Sequence, residues 1–414
     1  MAFSLMRFSL PGLVALGLFS NLAKPAASDW ARWRGPDLNG ISSETGWQAK
    51  WPDDGPKRLW KARVGTGFSS VSVANGKVYT LGNSGRGRGD EKDTVFCFDA
   101  ATGKQIWSHA YEARLDPKYY AGGPSGAPTV DGDRVYTLSK RGLLLCLGEA
   151  DGRVVWQKDV ATETKAKRPT WGFAGSPLVI GDTLFVNVGA RGTALAKKTG
   201  SILWSTGRES SSYSSFVPHV RDGRQELVMF TNDAVVAVNP KTGGALWSYP
   251  WETKYGVNSA DPILIGDKVF ISSGYNRGCA LLQVSGGEVA KLWENKKMRN
   301  HFNPCVLIDG HLYGFDGNTG RATFKCLELA TGRERWEEDS FGGFGAVQAI
   351  GKKLLIISND GELIVAEATA DAFTEISRAQ VTGPKCWTTP VLANGRIYCR
   401  NSRGDLTCLD VSEK

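Results

Sequence analysis

Chemistry in this sequence is concentrated in one short stretch, where Arg299, Asn300 and His301 are adjacent and follow Asn258 and Asp261 by about forty residues. Asn258, Asp261 and Asn300 are oxygen donors of the kind calcium takes, and His301 could act as a general base. The alternatives are structural: Asp261 precedes Pro262 and can cap a turn, and a single loop histidine often serves only as a hydrogen-bonding group. Trp171, Tyr213, Tyr255 and Trp387 supply flat rings that could stack on planar or sugar-like ligands, the structural alternative being that they only cover the channel mouth. No Ser-His-Asp order or paired-carboxylate spacing can be read, and no Cys-x-x-Cys or histidine cluster has zinc spacing.

These residues have to be positioned by a repeat. A small-polar-Gly turn followed by tryptophan recurs, with glycines at 103, 152, 200, 243, 286 and 332, spaced 49, 48, 43, 43 and 46 residues apart. That period suits four short strands per unit, which is a propeller blade. Hairpins with alternating apolar residues start near Ser70, Ala127, Ser176, Phe216, Asp261, Asn303, Ala346 and Thr389, so eight blades are predicted. The last hairpin lacks its tryptophan strand, and the strand around Trp60 lacks a hairpin. Pairing the two closes the ring and hides the sheet edges.

The expected fold is therefore all-β: an eight-bladed β-propeller of four-stranded antiparallel blades, closed by an N-terminal strand on the C-terminal blade. Trp60, Trp107, Trp156, Trp204, Trp247, Trp293 and Trp336 are equivalent and should fill the wedges between blades. Blade seven departs, since residues 368–376 contain neither the glycine nor the tryptophan. Loops entering the innermost strands should converge on one channel face. They bring Phe68, Tyr119, Tyr120, Trp171, Phe173, Tyr213, Tyr255, Phe344 and Trp387 together with the polar residues named above.

Residues 1–28 read as a secretory signal, with Arg7 ahead of an apolar run and Ala26, Ala27 and Ser28 at the cleavage site. Residues 29–52 follow as an N-terminal extension, and 53–414 as a single propeller domain. The expected product is exported, periplasmic or secreted, soluble, not membrane-spanning and monomeric. The first cysteine, Cys97, lies far beyond the leader, so the product is not a lipoprotein. Fifty Lys and Arg against 42 Asp and Glu give +8, and loss of Arg7 and Lys24 with the leader lowers this to +6. The basic residues are scattered and form no nucleic-acid motif. Of the eight cysteines, Cys97, Cys146, Cys326 and Cys408 share one strand slot as packing residues, and Cys399 and Cys408 could pair across a hairpin.

The Gly-to-Trp repeats, with residues 30–40 ahead of them, resemble the pyrroloquinoline quinone (PQQ)-type repeat propellers of bacteria. That family includes quinoprotein alcohol dehydrogenases, which oxidise alcohols with bound PQQ and calcium, and BamB-like assembly factors, which are catalytically inert scaffolds. The dehydrogenases carry two adjacent cysteines over the quinone, and no two cysteines are adjacent here. The resemblance thus implies a non-catalytic, BamB-like scaffold without a cofactor, binding an envelope protein or a small-molecule or glycan ligand. The alternative it implies is a PQQ- and calcium-dependent dehydrogenase acting on an alcohol or sugar-like substrate.

Overall fold

The computed structural model describes residues 29–85, 90–317 and 321–413, so the leader predicted over 1–28 lies outside the described residues. Among the described residues, eight antiparallel sheets form the eight blades of a propeller, with one short helix, Val160–Thr164, and one 3-10 turn, Lys254–Gly256. Blades 1 to 7 begin with the inner strands Ser72–Ala74, Thr129–Asp131, Leu178–Ile180, Val217–Arg221, Ile263–Ile265, Val306–Ile308 and Ala346–Ile350. Blade 8 runs from Val391–Ala393 through Arg396–Arg400 to Asp405–Asp410, and its fourth strand is Lys57–Arg63 from the other end of the chain. Arg400 fastens this seam. Its buried guanidinium donates to the carbonyls of Ser69, Leu81, Gly65 and Gly67 beside blade 1.

The outermost pairing in each blade carries the same irregularity. Cys97 faces Trp107 while Phe98 faces Gln105, leaving Ile106 as an extra residue, and Val155, Leu203, Leu246 and Leu292 occupy the same place in blades 2 to 5. A bulge of this kind adds twist and spoils the outer edge for pairing with another sheet. It also turns the following tryptophan toward the next blade. Trp60, Trp107, Trp156, Trp204, Trp293 and Trp336 donate their indole N–H to a backbone carbonyl in the next blade's turn, at Ala100, Glu149, Lys197, Pro240, Leu329 and Thr369. The glycine of that turn is required by contact: a Cβ on Gly152 would lie 2.4 Å from the Trp107 ring. Trp247 is the exception, donating instead to Glu226 Oε2, and Gly286, the glycine it would have met, has nothing within 4 Å of such a Cβ.

Blade 7 has Ser377 where the others have tryptophan. The gap is filled from the extension. Trp51, 8% exposed, packs among Leu363, Val365, Leu392 and Leu409 between blades 7 and 8, and its backbone N–H donates to Ser377 Oγ at 3.0 Å. All eight cysteines are buried free thiols. Cys399 and Cys408 do not pair, because they sit on opposite faces of blade 8, Cys399 packed toward blade 7 and Cys408 toward blade 1.

The start of the extension occupies the central channel. Trp30 forms a two-way backbone bridge with Val73 of blade 1, and the Ala31 carbonyl accepts from Val130 of blade 2. Arg34 donates to the Cys305 carbonyl ahead of blade 6, and Ile41–Ser42 adds a parallel strand to blade 7. Asp29 and Glu44 both bind the blade 8 turn at Asn394. The segment therefore enters and leaves beside the same turns, with its middle residues inside the ring.

Candidate functional site

The loops that lead into the innermost strands enclose a cavity of about 780 Å³ on the channel face, and Trp33 of the inserted segment lies on its floor. Its wall is a succession of touching rings. Phe68 stacks on Trp387 (5.2 Å, 19°), Trp387 on Phe302 (4.6 Å, 20°), and Phe302 meets His301 at 4.1 Å. The series continues edge-on through Tyr275 and Tyr255 to Trp171 (4.8, 5.6 and 6.3 Å), and Trp171 meets Tyr213 at 6.1 Å. Trp171 Nε1–H also donates to the Lys118 carbonyl, and Tyr120 packs on Phe68 at 5.6 Å. Tyr119 and Tyr255, 93% and 62% exposed, stand at the mouth.

Three of these tyrosines hold the left-handed backbone conformation, with φ of 65° at Tyr119, 68° at Tyr255 and 51° at Tyr275. A bulky residue pays strain there, and such strain collects at ligand clamps. Here it aims aromatic rings over the opening.

Polar groups on the floor are linked from blade to blade. Ser176 Oγ accepts the Ala127 N–H, Ser215 Oγ accepts the Ser176 N–H, and Asp261 Oδ1 accepts the Ser215 N–H at 2.7 Å. Asp261 Oδ2 accepts the Trp33 indole N–H at 2.6 Å. Burial raises the Asp261 carboxyl, while the nearby Arg34 guanidinium opposes the rise. Both oxygens are thus committed to the protein.

Of the polar residues expected at this face, Asp261 and His301 line the cavity, while Asn258, Arg299 and Asn300 lie behind it. The Asn258 amide donates to the carbonyls of Thr231, Asn232 and Trp251, and its oxygen accepts from Ser273. Arg299 grips Asp316 through two nitrogens, and the Asn300 amide donates to the Phe315 carbonyl. Trp171, Tyr213, Tyr255 and Trp387 all line the wall. Phe173 is buried in the core between blades 2 and 3, and Phe344 backs His301 at 5.4 Å. His301 is held neutral, because burial pushes its imidazole down to about 4.

Trp33, Tyr275, Phe302 and Lys118 also line the cavity, although none was expected there from the sequence. Tyr275 comes from the loop joining the second and third strands of blade 5, which opens on the same face; that topology was the available signal. Phe302 is the residue after His301, and Trp33 belongs to no repeat.

Among the described residues no group of three or more His, Cys, Asp or Glu side chains is placed to hold a metal ion. The donors do not fit a calcium–quinone pair. Among the described residues that line the cup, Asp261 is the one carboxylate, and its two oxygens already accept from Trp33 and Ser215.

The family model described as outer membrane protein assembly factor BamB matches residues 91–338. The chain belongs to the BamB family. BamB from Moraxella catarrhalis superposes with a TM-score of 0.61 at 14% identity, covering 86% of this chain and 98% of that one. Quinohemoprotein alcohol dehydrogenase from Comamonas testosteroni gives 0.69 at 13%, covering 95% and 82%, and a europium-containing methanol dehydrogenase 0.68 at 13%, covering 90% and 89%. At these identities the structures share the fold alone. No curated protein matches the sequence. Among the described residues no helix is long and apolar enough to cross a membrane.

Proposed function

We propose that this BamB-family propeller is an exported, monomeric, non-catalytic binding protein of the cell envelope that receives its ligand in the channel-face cup. The observation that carries the reading is the pairing of a nearly continuous aromatic wall with a floor whose one carboxylate, among the described lining residues, accepts from Trp33 and Ser215. Rings around a concave site supply stacking area and exclude water, which is what a binding cup needs. General acid–base chemistry needs a group free to exchange a proton with the substrate. Asp261 holds the Trp33 indole and the Ser215 N–H, and burial lowers the His301 imidazole to about 4, which makes it a weak base.

Calorimetric titration of the protein with PQQ, with and without calcium, tests this against the dehydrogenase alternative. The expected result is no stoichiometric binding in either condition. Calcium-dependent, one-to-one uptake followed by dye reduction with an alcohol would overturn the proposal.

A further inference from the structure

We propose that the cup binds carbohydrate, specifically a short segment of a carboxylated glycan such as an oligouronate; this rests on the binding-protein reading above and names its ligand class.

The two sides of the cup differ in a way that suits a sugar chain. On the blade 6, 8 and 1 side, Phe302, Trp387 and Phe68 are stacked on one another within 20° of parallel, so their faces largely cover each other. Across the ring, Trp171 and Tyr255 meet at 70°, presenting edges and faces by turns. A pyranose has two apolar C–H faces and a polar equator. An open aromatic ring takes a C–H face by stacking, and the equatorial hydroxyls are then left for the polar groups of the floor and mouth.

Those floor groups are set up as donors. Ser176 and Ser215 accept backbone N–H groups through their oxygens, and each keeps its O–H for an occupant. His301 lines the cup with an uncharged imidazole, because burial lowers its value to about 4. Backbone strain at Tyr255 and Tyr275 marks this side of the cup as built for a contact the protein itself does not make. The volume of about 780 Å³ falls in the range of about 300–1,000 Å³ usual for small-molecule sites, room for a short oligosaccharide.

The charge of the ligand follows from the mouth. Lys254 lies over the Tyr255 ring and Lys385 over the Trp387 ring, each at 5.1 Å, and Lys118 lines the rim. The floor carboxylate, Asp261, lies near the Arg34 guanidinium, which offsets its charge. Cations beside stacking rings favour sugars bearing carboxylates, and the attraction is screened by salt.

The test is tryptophan fluorescence and calorimetry on the protein with trisaccharides of hexose, N-acetylhexosamine and uronate type. Trigalacturonate should bind saturably and quench Trp387, with affinity that falls as salt rises. Trp171→Ala and Trp387→Ala should each weaken it about tenfold. The rim triple variant Lys118→Gln, Lys254→Gln, Lys385→Gln, which leaves the core untouched, should remove the preference for uronate over maltotriose. Binding of none of the three sugar types, or binding that survives both tryptophan changes, overturns the proposal. Equal affinity for maltotriose and trigalacturonate overturns its acidic part. Silence toward sugars with silence toward PQQ would leave the binding-protein reading standing, whereas calcium-dependent uptake of PQQ would remove both.

Discussion

Trp51 offers a direct test of how the ring is held where its repeat fails. In seven blades a tryptophan on the outer strand reaches toward the next sheet, and in blade 7 that place is taken by Ser377. If Trp51 is the substitute, Trp51→Ala should cost as much as removing a repeat tryptophan. Trp51 and Trp107 are 8% and 7% exposed, so the two truncations remove nearly equal buried rings. Burying about 150–250 Å² of aromatic surface at about 25 cal/mol per Å² is worth about 4–6 kcal/mol. Measured tryptophan truncations in cores run at about 3–5 kcal/mol, and that is the expected loss for both variants. The assay is urea unfolding followed by circular dichroism, with midpoints converted through the measured slope. Adding Ser377→Trp to the Trp51→Ala background should recover much of the loss, since position 377 has the register of the missing residue. A Trp51→Ala cost below about 1 kcal/mol, the size of an ordinary surface change, alongside a full-sized cost for Trp107→Ala, would refute the substitution argument.

Gly152→Ala and Gly286→Ala separate contact from backbone strain. Both glycines have positive φ, which costs alanine about 1–2 kcal/mol, but only Gly152 abuts a tryptophan ring, adding about 1–3 kcal/mol of overpacking; equal urea midpoints for the two would show that the docking contact is idle. His301 should make the fold acid-sensitive. Its folded value of about 4 lies below the ordinary 6.5, so the unfolded chain binds the extra proton between those values and stability falls as pH drops from 6.5 to 4, by about 3 kcal/mol at pH 4. His301→Phe should therefore lose about 3 kcal/mol less than the parent between pH 7 and pH 4, and superimposable pH profiles would contradict the buried neutral imidazole. All eight thiols should be silent to Ellman's reagent in the native protein and all should react in denaturant without reductant. Fewer than eight would reveal a disulfide.

The ring was legible because each blade states the same message: glycine for a tight turn next to the neighbour's tryptophan, an alternating hairpin, and a small residue such as Cys97 or Cys146 facing the docking ring. The aromatic wall was legible for the same reason, since loop position follows from strand order. What repetition cannot give is which of several adjacent residues in a loop turns inward. Arg299, Asn300 and His301 are consecutive, yet the first binds Asp316, the second binds the Phe315 carbonyl, and only the third reaches the cup. Those outcomes depend on partners in the next strand that local sequence does not display. The extension was opaque for a stronger reason. Trp33 and Trp51 have no repeat equivalents, and their sites are defined only by what the ring leaves empty.

That emptiness explains where individuality enters an otherwise uniform ring. Eight similar units create eight similar inner positions, and a symmetrical channel has no preferred orientation for a ligand. Asymmetry arises where a position departs from its equivalents. Serine occupies two successive links of the floor's hydrogen-bond series and Asp261 the third, and the charge so introduced is met by the Trp33 indole and the nearby Arg34. The inserted segment thereby acquires a fixed depth and rotation in the channel. Its Trp33 lines the floor of the cup, while the exposed Tyr119 and Tyr255 stand at the mouth. The non-repetitive residues thus convert a symmetrical channel into a one-ended site, and specificity should respond to changes at Trp33 and Asp261 as strongly as to changes in the rings above them.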